Sequence, residues 1–423
     1  MIFLYRIVTT ILFPVLVLII YLRKFFGKED ESRFKEKFLI KDDYQDVQWK
    51  TKNVIWFHAA SVGEVNSIIP IIKEILENKT DIFILLTSTS LSSSQLIKKK
   101  IDLKNFKHHF FILDISFLVK KFIDYWNPKL VIFVDSEVWP SHLLEIKKRK
   151  IPLILLNGRI TNKTLKRWQL FNKTSQDIFG LYDLCLASSE ESLNNLKNLG
   201  AKNVEYIGNI KFCADVKNKN KYDNNQSIYG NKKIWSAAST HPGEEIFFFK
   251  THIELKNKGE NILTIIIPRH TNRSKEILAI GKSLKLKVEI LNDVDEIKED
   301  SEVIVVNSIG NMTNFFNKSR SVFMGKSLLK KLIEVGGQNP IEPAKCGCKI
   351  YHGPFVSNFK EIYNFLNNKK IAFEVSNETN LAKNLSSDFN QEKITDNNNV
   401  NELNLYGKKI LLDTVNKILK LQK

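Results

Sequence analysis

No two cysteines in this chain stand at metal-ligand spacing. Cys185, Cys213, Cys346 and Cys348 form no C-x-x-C pair and meet no matching histidine pair. That excludes a zinc finger and reads as reduced thiols in a cytosolic compartment. A P-loop, a G-x-G-x-x-G turn and an H-E-x-x-H helix are also missing, so the commonest nucleotide and zinc-hydrolase signatures do not apply. Nucleic-acid signatures are missing too, because the basic residues are mostly scattered lysines rather than a dense arginine run. One D-x-D pair, Asp293-Val294-Asp295, lies in a polar acidic run. It reads as a solvated loop, with a magnesium site for a sugar nucleotide as its functional alternative.

What is present is charge of one sign. The 423 residues carry 64 Lys and Arg against 46 Asp and Glu, a net charge of +18. Such an excess favours anionic partners. With nucleic acid set aside, an anionic membrane surface and phosphorylated substrates remain, against the plain alternative of a Lys-, Asn- and Ile-rich composition. The N-terminus supports the membrane. Ile7 to Leu22 carries no charge. It falls a little short of the ~20 residues a spanning helix needs, and Met1 to Tyr5 extend it if Arg6 reaches out to the interface. Pro14 predicts a kink, and Arg23, Lys24 and Lys28 place the chain that follows on the cytoplasmic side. No small-residue cleavage site follows. The expectation is an uncleaved anchor over residues 1–26, spanning or monotopic, on the cytoplasmic face of the inner membrane.

From Asn53 onward, short apolar runs alternate with amphipathic stretches: Val54 to Ala60, Asp81 to Ser90, Leu130 to Val134, Pro152 to Leu156, Leu184 to Ala187 and Val204 to Ile207. A polar, Asn-rich stretch interrupts them, and the alternation restarts at Ile234 to Ala238, Leu263 to Ile267, Lys287 to Leu291, Val303 to Val306, Ser321 to Met324 and Lys349 to Tyr351. Continuous apolar strands between helices indicate parallel sheets covered on both faces. The predicted fold is α/β, with two parallel-sheet domains and a cleft between them. The expected boundaries are 35–215 for the first domain, 216–233 for a linker and 234–400 for the second domain. A C-terminal helix over 401–423 is expected to pack back on the body.

In such sheets the chemistry sits beyond strand C-termini. Glu64 of His58-Ala-Ala-Ser-Val-Gly63-Glu64 reads as a general base or as a helix-capping charge. Asp135-Ser-Glu137-Val-Trp-Pro140 places two acids at a strand end, functional or paired with Arg159. Lys211 of Gly208-Asn-Ile-Lys-Phe212 is a surface lysine, or it neutralises a substrate anion or steadies Glu64 or Glu137. In the second half, Ser239-Thr-His-Pro-Gly-Glu244-Glu245 is a strong helix start that capping largely explains. Arg269, after Pro268, suits a phosphate or carboxylate. Gly336-Gly-Gln-Asn339-Pro340-Ile341-Glu342 turns into a helix whose free N–H groups suit a phosphate, with Glu342 placed for ribose hydroxyls.

Taken in order, HAASVGE, SEVWP, NGRIT, GNIKF, STHPGEE, PRHTNR, GGQNPIEPA and GPFVSNFKEI resemble the 3-deoxy-D-manno-octulosonic acid (Kdo) transferase family over nearly the whole chain. The resemblance implies the GT-B arrangement, two Rossmann-like domains facing a cleft, and an inverting, metal-independent transfer of Kdo from CMP-Kdo to a phosphorylated lipid A precursor, with no cofactor. It implies that Glu64 accepts a proton and that Glu137 and Lys211 stabilise the transition state. CMP contacts would come from Pro268, Arg269, Ile309, Gly310, Asn311, Asn339, Pro340, Ile341 and Glu342. The chain departs from the family at Asn311, where Glu is usual, and at Gln338, where His is usual. It also has Gly325-Lys326-Ser327 in place of Gly-Gly-Ser, followed by a longer basic insert over Leu328 to Val335. Thr87 to Ser92 replace a Thr/Pro/Gly-rich segment. The alternatives are another nucleotide-sugar transferase or epimerase of the same fold, or a catalytically silent basic membrane-binding protein.

Overall fold

The computed structural model describes residues 1–39, 48–214, 231–292, 298, 300–308, 312–390 and 397–422. The D-x-D pair, Ile309-Gly310-Asn311 and most of the expected linker lie outside them.

The chain forms two compact units, Met1–Ala214 with Tyr406–Lys423, and Asp215–Leu405. In the first, β1 (Asn53–His58), β2 (Ile82–Ser88), β3 (Phe106–Phe110), β4 (Leu130–Val134), β5 (Leu153–Gly158), β6 (Leu184–Ala187) and β7 (Val204–Tyr206) make one parallel sheet in the order β3-β2-β1-β4-β5-β6-β7. In the second, β8 (Lys233–Thr240), β9 (Ile262–Pro268), β10 (Val288–Leu291), β11 (Val303–Val306), β12 (Ser321–Met324), β13 (Lys349–His352) and β14 (Ala372–Glu374) run in the order β10-β11-β9-β8-β12-β13-β14. The α/β class and the pair of Rossmann-like sheets, the GT-B plan, are as expected. The two strands absent from the sequence reading, β3 and β14, are edge strands. Edges are short and polar because only one side is paired, and β3 reads Phe-Lys-His-His-Phe.

Central strands such as β4 (LVIFV) and β9 (ILTIIIP) are buried throughout, since helices cover both faces of a parallel sheet. The strand order reverses between β1 and β4 in the first sheet and between β8 and β12 in the second, where β11 is also inserted between β9 and β10. Crevices at the C-terminal ends of strands flanking such a reversal are where open α/β sheets bind ligands.

The N-terminus bends, as Pro14 predicts, but more sharply than a single kinked helix. Instead of one helix over Ile7 to Leu22 there are two, α1 (Ile2–Ile11) and α2 (Phe13–Phe25), bent by 59°. The break at Leu12 precedes Pro14, which has no N–H to continue the helical ladder. Among the described residues no single helix is long and apolar enough to cross a membrane. Arg6 does not extend outward: it binds Glu145 at 3.1 Å and Ser116 at 2.5 Å, while Tyr5 donates to Asp114 at 2.8 Å. Arg23 is also engaged, at 2.6 Å from the buried Glu29, which a second cation, Lys37, approaches at 2.5 Å.

The C-terminal helix spans Asn397–Leu421, starting earlier than expected, and passes from the second unit to the first between Leu405 and Tyr406. In the first unit Tyr406 meets Phe212 edge-on, and Ile410 lies against Gly208, where a Cβ would come within 2.8 Å of it. Gly208 has φ +87°, so glycine answers both the backbone and the close approach.

Candidate active site

In the first unit Glu64, Glu137 and Lys211 come to the strand reversal between β1 and β4, together with three residues not singled out as partners: His58, Asp135 and Asn157. Glu64 lies in the first turn of α3 (Val62–Asn78). Ser61 caps that helix and donates its hydroxyl to Glu64 Oε1 at 2.7 Å, while the Ala60 N–H donates to Oε2 at 2.7 Å. Ser61 Oγ in turn accepts the Glu64 N–H at 3.3 Å, so the carboxylate helps to close the helix start and the capping reading holds. It does not exhaust the residue. Burial pushes the Glu64 carboxyl up, the Asp135 charge adds to this, the two hydrogen bonds oppose it and Glu137 raises it again, to about 7. A carboxyl poised there accepts a proton at working pH. Gly63 leaves open space beside it, since a Cβ there would meet only Ser61 Oγ at 3.9 Å.

Glu137 has the opposite setting. Burial alone would raise it, but His58 and the Trp139 indole outweigh burial and hold it below the ordinary carboxylate range. The Trp139 N–H donates to Glu137 Oε2 at 2.6 Å, and His58 Nε2 lies 3.5 Å from the same oxygen. Lys211 Nζ stands 3.8 Å from Asp135 Oδ2. The lysine therefore answers Asp135, where the sequence suggested Glu64 or Glu137. Asn157 donates to Asp135 Oδ1 and accepts the Ile210 N–H at 3.1 Å, tying the Lys211 loop to the site. Asp135 and Asn157 have φ of +62° and +59°. Left-handed non-glycine residues are costly and cluster where a site dictates the backbone. The alternative pairing with Arg159 is not seen among the described residues; Arg159 meets Asp135 through the backbone, its N–H donating to the Asp135 carbonyl at 3.4 Å.

In the second unit the acids are consumed. Glu244 is fully buried and accepts N–H groups from His241 (2.9 Å), Lys326 (2.7 Å), Ser327 (2.8 Å) and Leu328 (3.1 Å). It thus bridges β8 to the loop after β12, across that sheet's reversal. Glu245 is a buried partner of Arg273, at 2.7 and 3.1 Å. Capping was an incomplete account of both. What lies outward is one arginine and two imidazoles. Pro268 is buried at the end of β9, Arg269 is exposed, and the His241 and His270 rings lie 6.3 Å apart. Lys326 has φ +61°. Asn339 to Glu342 lie in the segment between β12 and β13, at the same edge of the sheet. Asn339 Oδ1 accepts the Ile341 N–H at 3.2 Å, and Glu342, in the short helix Ile341–Lys345, accepts the Thr313 hydroxyl at 2.5 Å. Gly336 packs so closely on Phe355 that a Cβ would lie 2.1 Å from its carbonyl oxygen.

Comparison with known proteins points the same way. Residues 32–214 match the family described as 3-deoxy-D-manno-octulosonic-acid transferase (kdotransferase). A 3-deoxy-D-manno-octulosonic acid transferase from Rickettsia bellii is 30% identical over 407 residues, 95% of this chain and 93% of that protein. Among solved structures, the UDP-GlcNAc 2-epimerase of Neisseria meningitidis bound to UDP-GlcNAc is similar at TM-score 0.59 and 14% identity, covering 87% of this chain and 99% of that one. A glycosyltransferase from Rickettsia africae is similar at TM-score 0.56 and 16% identity, with the same coverage. Those two likenesses bear on fold alone.

Proposed function

This chain belongs to the 3-deoxy-D-manno-octulosonic acid transferase family, and we propose that it transfers Kdo from CMP-Kdo to a phosphorylated lipid A precursor with inversion at the anomeric carbon. The observation that carries this reading is the opposed setting of two neighbouring carboxyls, Glu64 poised near 7 and Glu137 held ionised. Environments that drive such groups apart assign their roles. Glu64 takes the proton of the acceptor hydroxyl as its oxygen attacks the anomeric carbon and the bond to the CMP phosphate breaks. Glu137 stays charged and offsets the positive charge that grows on the sugar ring. Lys211, held by Asp135, limits the negative charge of the crest.

The leaving phosphate gains charge in the same step. Arg269, with the donors around Asn339, Pro340 and Ile341, is proposed to meet it, and preorganised donors of this kind are worth about 3–4 kcal/mol each. Ile309, Gly310 and Asn311 are proposed to add nucleotide contacts, and Glu342 a ribose contact. No metal is needed in this scheme, so activity is expected to persist in a chelator.

The same reading puts the protein on the cytoplasmic face of the inner membrane, held by α1 and α2 lying in the interface. Phe3, Ile11 and Phe25 are 77%, 71% and 84% exposed on this pair, an apolar surface that water disfavours. The decisive experiment is product mass after incubating the purified protein with CMP-Kdo and the lipid A precursor. A mass gain of one or more Kdo units is expected. Turnover of a UDP-sugar instead, or no transfer by protein that binds CMP, would overturn the proposal.

A further inference from the structure

His58 has no role in the scheme above, yet its position is the most constrained in the site. It ends β1, is fully buried, and stacks on Phe111 at a centroid distance of 3.6 Å and an interplanar angle of 22°. Phe133 meets its ring edge-on at 5.5 Å and Trp139 at 6.5 Å. The ring therefore cannot turn without repacking three aromatic side chains. Its Nδ1 lies 3.0 Å from Thr87 Oγ1, on the adjacent strand β2. Its Nε2 is buried, has no hydrogen-bond partner, and faces Glu137 Oε2 at 3.5 Å.

Hydroxyl counting leaves two arrangements, since Thr87 can give its proton to Nδ1 or accept one from it, and the carboxylate beside Nε2 chooses between them. An indole N–H can only donate, and that of Trp56 reaches Thr87 Oγ1 at 2.9 Å. Thr87 then has one proton to give, to His58 Nδ1 at 3.0 Å or to the Phe57 carbonyl at 3.3 Å. Giving it to Nδ1 places the imidazole proton on Nε2, where it points at the Glu137 carboxylate. The other tautomer would aim a lone pair at an anionic oxygen in a buried place. Burial also keeps the ring neutral, with His142 opposing a second charge and Glu137 only partly favouring it.

We propose that His58 is a positioning residue for Glu137, with the Trp56–Thr87–His58 relay holding an Nε2–H donor against the carboxylate. An ordinary N–H···O bond is about 2.9 Å long, so a shift of about half an ångström in Glu137 completes the contact. Both donors to this carboxylate, Trp139 and His58, address Oε2. Among the described residues none donates to Oε1, which is left for the substrate. The groups facing the pair are His142, Tyr182 and Glu64, and Asp135 reaches Glu64 in turn.

This inference rests on the proposed reaction, and its test separates the two. Glutamine carries an amide N–H₂ near the place of Nε2, whereas leucine carries none. With wild type active on CMP-Kdo, His58→Leu is expected to lower kcat by about ten- to a hundred-fold, the range for losing a hydrogen bond to a charged group. Donor KM should change less than about two-fold, and His58→Gln should restore most of the loss. Equal losses in both variants, or wild-type kcat in His58→Leu, would overturn the proposal. The ¹⁵N spectrum of histidine-labelled wild type covers the case in which His58→Leu does not fold. A neutral Nε2–H tautomer at His58 is expected, and Thr87→Val should weaken that preference; an Nδ1–H tautomer overturns the inference. If wild type proves inactive on CMP-Kdo, the transferase reading fails while the spectrum still reports the relay.

Discussion

The two strand reversals of this molecule have the same scaffold and opposite chemistry. At β1/β4 burial, with the charge of Asp135 second and that of Glu137 last, outweighs the two hydrogen bonds to Glu64 and pushes its carboxyl to about 7. At β8/β12 the carboxylate of Glu244 is saturated by four backbone N–H groups, and one arginine and two imidazoles are what remain outward. Both crests use left-handed non-glycine residues, Asp135 and Asn157 in one, Ser239 and Lys326 in the other. The lesson is that a helix-start acid is read by its donors. An under-supplied carboxylate is a base; a saturated one is a brace.

That distinction can be broken from either side. The largest effect is expected at Glu64. Glu64→Gln should lower kcat by about 10²–10⁴-fold, the usual worth of a positioned base, while donor KM stays near wild type; steady-state kinetics would show it. Glu244→Ala should leave several buried N–H groups unpaired and cost about 3–5 kcal/mol locally. The check is hydrogen exchange at Lys326, Ser327 and Leu328, whose amides should lose protection.

Next comes pH. The rate should rise with pH through about 7 as Glu64 ionises. Stability runs the other way. A carboxyl raised on folding favours the native state below its unfolded pKa, and that contribution is lost as pH rises through the folded value. Glu64→Gln should therefore melt higher than wild type at pH 8, and a lower melting temperature would contradict the assignment. Arg269→Ala should raise donor KM roughly ten-fold, as expected for one charged hydrogen bond, with little change in pH profile. The smallest effect lies at the N-terminus. Lys24→Gln and Lys28→Gln should each weaken binding to anionic vesicles by about 1 kcal/mol. Arg23→Gln should instead lower stability, because Glu29 already holds that guanidinium.

Central strands were legible because burial on both faces makes them continuous apolar runs. β3 and β14 were not, since an edge strand need not be apolar. Glu64, Glu137 and Lys211 were legible as polar residues at strand ends. Their partners were not: that Lys211 answers Asp135, and that His58 faces Glu137, depends on side-chain direction across neighbouring strands. Arg6 shows the same limit, because a charge inside an apolar run says nothing of a waiting Glu145.

The passage of the C-terminal helix from one unit to the other has a bearing on synthesis. On the ribosome, Gly208 and Phe212 emerge long before Tyr406 and Ile410, which cover them. The whole second unit must be made in between. During that interval the segment after the first sheet's last strand is uncovered, a surface open to misassociation. Completion of the front half thus waits on the residues from Tyr406 onward, and a nascent chain stalled before Tyr406 should be the species a chaperone holds.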